Sequence, residues 1–298
     1  MRRLALILLP LSVLACDPGP AAPVDALAAH VAIHQATGSW DIYVYDVSSG
    51  TTTQVTTIAG ADEWNAAFSH NGKSIVHEVI GSHDLYITRI ATGVSTPLAG
   101  GEGGNDADWS PSGRLIAFDG DWGDPHLYIV PASGGTRTLV RAYAMDPQWG
   151  LDDHFLVFRD YSDWSVRTID LRSGSEHVVA AWGIHPAWST DGRHIAYTDG
   201  SNIFVVAVDP SGAAVGAPVQ VTPDPYGSFT AIYPSWSRDS RNILFLSNRF
   251  STDFDIWVVS KSGGEPTKLF GTVGEFELDP TFYGNTLVAF SKFTPPGP

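Results

Sequence analysis

Apolar and polar positions along this chain fall into short runs, and one run recurs six times with the same punctuation. It reads AAFSHNGKSIVH at 66–77, ADWSPSGRLIAF at 107–118, PQWGLDDHFLVF at 147–158, PAWSTDGRHIAY at 186–197, PSWSRDSRNILF at 234–245 and PTFYGNTLVAF at 280–290. Each copy ends a first run on an aromatic, makes a turn, then alternates. Asn71-Gly72, Ser112-Gly113, Asp191-Gly192 and Gly284-Asn285 are turn residues that tolerate left-handed backbone angles. After the turn, Ile116 and Phe118 point to one side of a strand and Leu115 and Ala117 to the other. A third run follows, as in WDIYVYD (40–46), HLYIVPA (126–132) or FDIWVVS (254–260), and a weaker fourth closes the unit, as in TTQVT, TRTLV or PTKLF. No long segment keeps a helical period.

The aromatic anchors are Phe68, Trp109, Trp149, Trp188, Trp236 and Phe282, spaced by 41, 40, 39, 48 and 46 residues. A period near 40 built of four short strands predicts a propeller. A lone four-stranded sheet cannot bury both its faces, whereas six arranged radially bury each face against a neighbour. The expected fold is therefore all-β: a six-bladed β-propeller of four-stranded antiparallel blades, its ring closed by the N- and C-terminal strands. The anchors are expected to fill the space between blades. Closure admits two readings. Residues 30–34, 40–46 and 52–56 resemble the last three strands of a blade whose first strand is 279–283, yet 286–291 also reads as a second strand and duplicates 30–34.

Composition adds an address. The chain has 298 residues, enough for one propeller and little more, and a single cysteine. Arg2 and Arg3 precede an apolar stretch, Leu4 to Leu14, too short to span a bilayer as a helix. Val13-Leu14-Ala15-Cys16 ends it. This start resembles a bacterial lipoprotein signal, which implies cleavage after residue 15 and lipidation of Cys16. Residues 16–29 then make a Pro/Ala-rich tether, 30–293 the propeller and 294–298 a tail. The expected location is the bacterial cell envelope, lipid-anchored and facing the periplasm, with inner and outer membrane left open. Loss of Arg2 and Arg3 takes the net charge from −15 to −17. So acidic a surface repels nucleic acid and anionic lipid heads.

The unit P-x-W-S-x-D-G-x-x-I-A-F followed by D-I-Y-V-x-D resembles the TolB-type (WD-repeat-like) propeller repeat over residues 28 to 293; PAWSTDGRHIAY is the closest copy. The resemblance departs at the N-terminus: TolB carries an α/β domain ahead of its propeller, and only a dozen tether residues stand there here. Related propellers accompany serine hydrolases, but no G-x-S-x-G elbow occurs in this sequence. The resemblance implies that the strand ending on each anchor is innermost. The residue three before the anchor then lies near a channel mouth, and the six are Asn65, Asp106, Asp146, His185, Tyr233 and Asp279. Glu63 and Glu277 would add charge to the rim.

Oxygen-rich convergence of this kind suits a hard cation, calcium or magnesium, or a basic ligand, although no cofactor is required. The competing role for the same acids is hydrogen bonding to loop backbone. One imidazole in the ring argues against zinc. A second candidate surface is the loop containing Asp119, Asp121, Trp122 and Asp124. Lys73, Arg114, His154, Arg193 and Arg241, five residues after each anchor, read as solvated charges. The expected function is a non-enzymatic, envelope-anchored protein-binding or scaffold module. The alternative is a propeller that binds or processes a polysaccharide or small ligand through its acidic channel mouth.

Overall fold

A computed structural model describes residues 39–120, 123–223, 229–249, 254–271, 277–284 and 287–294. They form six antiparallel sheets of four strands each. The innermost strands are Asp62–Phe68, Gly104–Trp109, Ala144–Trp149, Ile184–Trp188, Ala231–Trp236 and Glu277–Tyr283, and these define blades 1 to 6. Each contacts its neighbour around the axis, and the sixth returns to the first. Among the described residues there is no helix, and none therefore long and apolar enough to cross a membrane.

Blade 6 closes the ring. Its strands, from the axis outwards, are Glu277–Tyr283, Leu287–Thr294, Ser39–Asp46 and Thr51–Gln54. The two ends of the chain pair directly, with Tyr43 opposite Phe290 and Val44 opposite Ala289. This settles the second-strand position in favour of the C-terminal run. Residues 30–34 lie outside the described residues.

Six apolar clusters correspond one to one with the six gaps between blades. Between blades 1 and 2, Ile116 and Phe118 meet Val76 and Leu85. On the opposite face of the same strand, Ala117 meets Trp149 and Phe158 of blade 3. Both faces of a blade's second strand are thus buried, which explains why SIVH, LIAF, FLVF and NILF are apolar nearly throughout. The remaining gaps are filled in the same way, with Trp188, Trp236 and Phe68 in three of them and Phe290 with Trp40 in the gap between blades 5 and 6. The anchors are core residues as expected, although Trp109 and Phe282 are only half-buried.

Polar clasps accompany the apolar packing. Asp108, Gln148 and Ser235 each stand one residue before an anchor. Each accepts the backbone N–H of the next blade's anchor: Trp149 to Asp108 Oδ2 at 2.8 Å, Trp188 to Gln148 Oε1 at 2.7 Å, and Phe282 to Ser235 Oγ at 3.1 Å. The inner strands are held in register around the axis by side chains, because sheet bonds do not cross between blades.

Candidate functional site

All six residues three before the anchors have left-handed backbones. Their φ angles are 54° at Asn65, 44° at Asp106, 53° at Asp146, 48° at His185, 54° at Tyr233 and 50° at Asp279. Every inner strand also slips register against its second strand at this place. A bulge of this kind re-aims one side chain, and here it brings one from each blade to the axis. Asn and Asp adopt left-handed angles at low cost, and they fill four of the six places. His also visits this region more readily than most residues, but Tyr233 holds the same angle without that advantage, a form of strain that persists where its surroundings impose it. The rings of His185 and Tyr233 stack at 3.9 Å between centroids and 21° between planes.

The six side chains form a waist rather than a rim. A chamber of about 150 Å³ lies on one side, lined also by Trp64, Glu78, His83 and Arg159. One of about 120 Å³ lies on the other, lined by the residues that follow along each inner strand, among them Pro147, Pro186, Pro234 and Pro280. Beyond it, all six anchors surround a wider funnel of about 420 Å³. Glu63 and Glu277 do not reach a rim. Both are fully buried, and Glu63 accepts hydrogen bonds from Thr56 Oγ1 at 3.0 Å and the Ile58 N–H at 2.9 Å. Two residues back along a strand keeps the same face on a regular pleat, but the bulge between Trp64 and Ala67 separates their directions.

A second row of charge stands behind the waist, and it was not anticipated. It consists of the residue ten after the anchor: Glu78, Asp119 and Arg159 in blades 1 to 3, with Thr198 and Leu246 in blades 4 and 5. Each lies on a second strand opposite the residue preceding the waist position, as Asp119 does opposite Asn105. All three charged groups are buried. Glu78 accepts from His83 Nδ1 at 2.8 Å and Asn65 Nδ2 at 3.2 Å. Arg159 brings Nε to 3.1 Å from Asp146 Oδ2 and lays its guanidinium 4.7 Å from the centre of the Trp164 ring. The signal in the sequence was a charged residue in an otherwise apolar strand, LIAFD and FLVFR beside HIAYT and NILFL.

Asp119 was expected in an exposed loop with Asp121, Trp122 and Asp124. The structure moves it to the channel: it is the fifth residue of the strand Leu115–Gly120, with no solvent exposure. Asp121 and Trp122 lie outside the described residues. Asp124 accepts from Tyr128 Oη at 2.9 Å and stands 3.8 Å from Arg137.

Electrostatics divide the acids. Burial, reinforced by Asp146, Asp279 and Glu78, holds the Asp106 carboxyl well above its usual value. Burial does the same to Asp119, with Asp106 and Asp146 adding to it, and pushes Asp279 up to about 7. Burial also opposes charge on Asp146, but Arg159, His185 and the His185 N–H at 3.2 Å outweigh it and keep that carboxyl below its usual value. His185 is lowered to about 4 by burial. Asp146 thus bonds neighbouring backbone, while Asp106 at the waist and Asp119 behind it face other acids. Such a site can hold a cation or share protons. Among the described residues it pairs no nucleophile with a base.

No protein-family model matches the sequence, and no curated protein is similar to it in sequence. Solved structures do match. A protein assigned as TolB in Agrobacterium tumefaciens superposes with a TM-score of 0.71 at 20% identity, over 86% of this chain and 98% of its own. TolB from Acinetobacter baumannii gives 0.57 at 15% identity, over 85% of this chain and 63% of its own. An oligogalacturonate lyase in complex with manganese gives 0.54 at 14% identity, over 86% and 84%. At such identities the likeness concerns architecture, while activity resides in the site. The chain therefore has the six-bladed propeller fold of TolB-type proteins.

Proposed function

We propose that this protein is a lipid-anchored binding module of the bacterial envelope, held by Cys16 and facing the periplasm, that docks a protein partner without catalysing a reaction. The observation that carries this reading is the waist. Six repeats agree in their anchors and turns but present four kinds of side chain at the axis, Asn, Asp, His and Tyr, the place where a propeller offers a ligand several blades at once. The likeness to TolB, an envelope protein fold, supports the address. Capture by cross-linking from intact envelopes tests the reading. The wild-type protein is expected to retain a specific partner, while Cys16→Ser loses incorporated fatty acid and leaves the membrane fraction. Absence of any partner, together with turnover of a glycan by the purified protein, would overturn it.

The carboxylates of the channel favour a second reading, a propeller that binds or processes a polysaccharide or a small cationic ligand at the waist. The two separate on one triple variant. Exchange of Asp106, Asp146 and His185 together abolishes binding of the free glycan or small cationic ligand by the purified protein in the second reading, and releases the captured protein partner in the first.

A further inference from the structure

Asp119 is a buried acid that no hydrogen bond from another described side chain offsets. Asp119 has no solvent exposure, and neither of its carboxylate oxygens accepts a hydrogen bond from the described residues. Buried carboxylates are ordinarily hydrogen-bonded or paired, and an isolated one is strongly unfavourable. Asp119 also faces two further acids. One carboxylate oxygen each from Asp106, Asp119 and Asp146 lies within 4.8 Å of the others. Three oxygens no more than 4.8 Å apart share a point within about 2.8 Å of all of them, a small adjustment from the 2.3–2.6 Å of calcium–oxygen bonds.

We propose that Asp106, Asp119 and Asp146 form an inner-sphere site for one hard divalent cation of the calcium class. It would be entered from the chamber lined by Asp106, Asp146 and Arg159. The neighbouring charges support it. Three carboxylates carry −3, and Arg159, at 3.1 Å from Asp146, returns +1, which leaves the two negative charges that a divalent ion neutralises. Glu78 and Asp279 face the same space and add to the attraction, with His83 already engaged by Glu78. Donors that are all oxygen favour calcium over zinc or copper, which take imidazole or thiolate. The sources differ in depth: Asp106 and Asp146 project from bulges of adjacent inner strands, and Asp119 from the strand behind. Backbone geometry and packing therefore fix all three before an ion arrives.

This proposal does not depend on a protein partner, so a failed capture experiment leaves it standing.

The test is calorimetric titration of the full-length chain, treated with chelator, with calcium chloride alone. One ion per chain is expected at pH 8. Asp119→Asn is expected to weaken it at least 100-fold, while Asp124→Asn leaves it unchanged. Binding that ignores Asp119→Asn, or no binding at pH 8, overturns the proposal. Should Asp119→Asn not fold, anomalous diffraction at the manganese edge from wild-type crystals soaked in manganese decides. A peak between the three carboxylates supports the site; a peak only elsewhere, or none, overturns it.

Discussion

Replacing Phe290 by alanine is expected to remove about 3–5 kcal/mol of stability, the range for truncating a fully buried aromatic. Phe290 has no solvent exposure. It sits in the only blade assembled from both ends of the chain and pairs with Tyr43 across the seam. Its ring lies 6.0 Å from that of Tyr43 and 5.0 Å from that of Phe270 in blade 5. It shares its cluster with Trp40, Leu244, Ile256 and Leu278. One side chain therefore joins the N-terminal strand, the C-terminal strand and the preceding blade. A chain of this size shifts its unfolding midpoint by about 2–4 °C per kcal/mol, so a drop on the order of 10 °C should be seen by thermal melting. Limited proteolysis should also cut the variant first in Ser39–Asp46, because opening the seam frees that strand before it frees a blade formed from one continuous segment. A loss under about 1 kcal/mol would mean that the ring is not sealed by this pairing.

The seam shows where the sequence was silent. Both 30–34 (HVAIH) and 286–291 (TLVAFS) are short apolar runs with polar ends, and such a run states only that a segment makes a buried strand, not which partner it takes. The anchors and turns were legible because each rests on a local requirement repeated six times. The waist was legible as a register position, since it was the variable slot in a constant phrase. Its geometry was less so. Four Asn or Asp residues in six matched places were a trace of the left-handed bulge, but His185 and Tyr233 concealed it.

Asp119 was misplaced for a related reason. The string Asp119-Gly120-Asp121-Trp122-Gly123-Asp124 has loop composition throughout, and nothing local marks its first residue as the end of a strand. Alignment of the copies ten residues beyond each anchor would have placed Asp119 beside Glu78 and Arg159, all three in positions that Thr198 and Leu246 fill without charge. The same bulge that turns the waist residues inward also spoiled the inference that Glu63 and Glu277 share their direction.

Raising the pH from 6 to 8 in the presence of chelator is expected to destabilise the protein by several kcal/mol. The sign follows from the buried acids. Burial raises Glu63 to about 8 and Asp108 and Asp279 to about 7, and it holds Asp106 and Asp119 well above the carboxylate range. Above pH 4 the unfolded chain has released these protons while the folded chain keeps them. Stability therefore falls as pH rises from the unfolded value through the folded one, by about 1.4 kcal/mol per unit for each group. His77 and His185, both lowered to about 4 by burial, act in the opposite direction. Their contribution is complete above about pH 6.5 and is lost on acidification towards 4. Between pH 4 and 6.5 the two effects offset one another, and between 6.5 and 8 the acids act alone. A midpoint that is flat or rising from pH 6 to 8 would refute this balance. Calcium in excess should restore part of the loss at pH 8, because an ion between Asp106, Asp119 and Asp146 offsets their mutual repulsion and binds the folded chain alone. It should not restore the share due to Glu63 and Asp108, which lie outside the cluster. Asp108→Asn should therefore reduce the pH dependence without changing the response to calcium, whereas Asp119→Asn should reduce both.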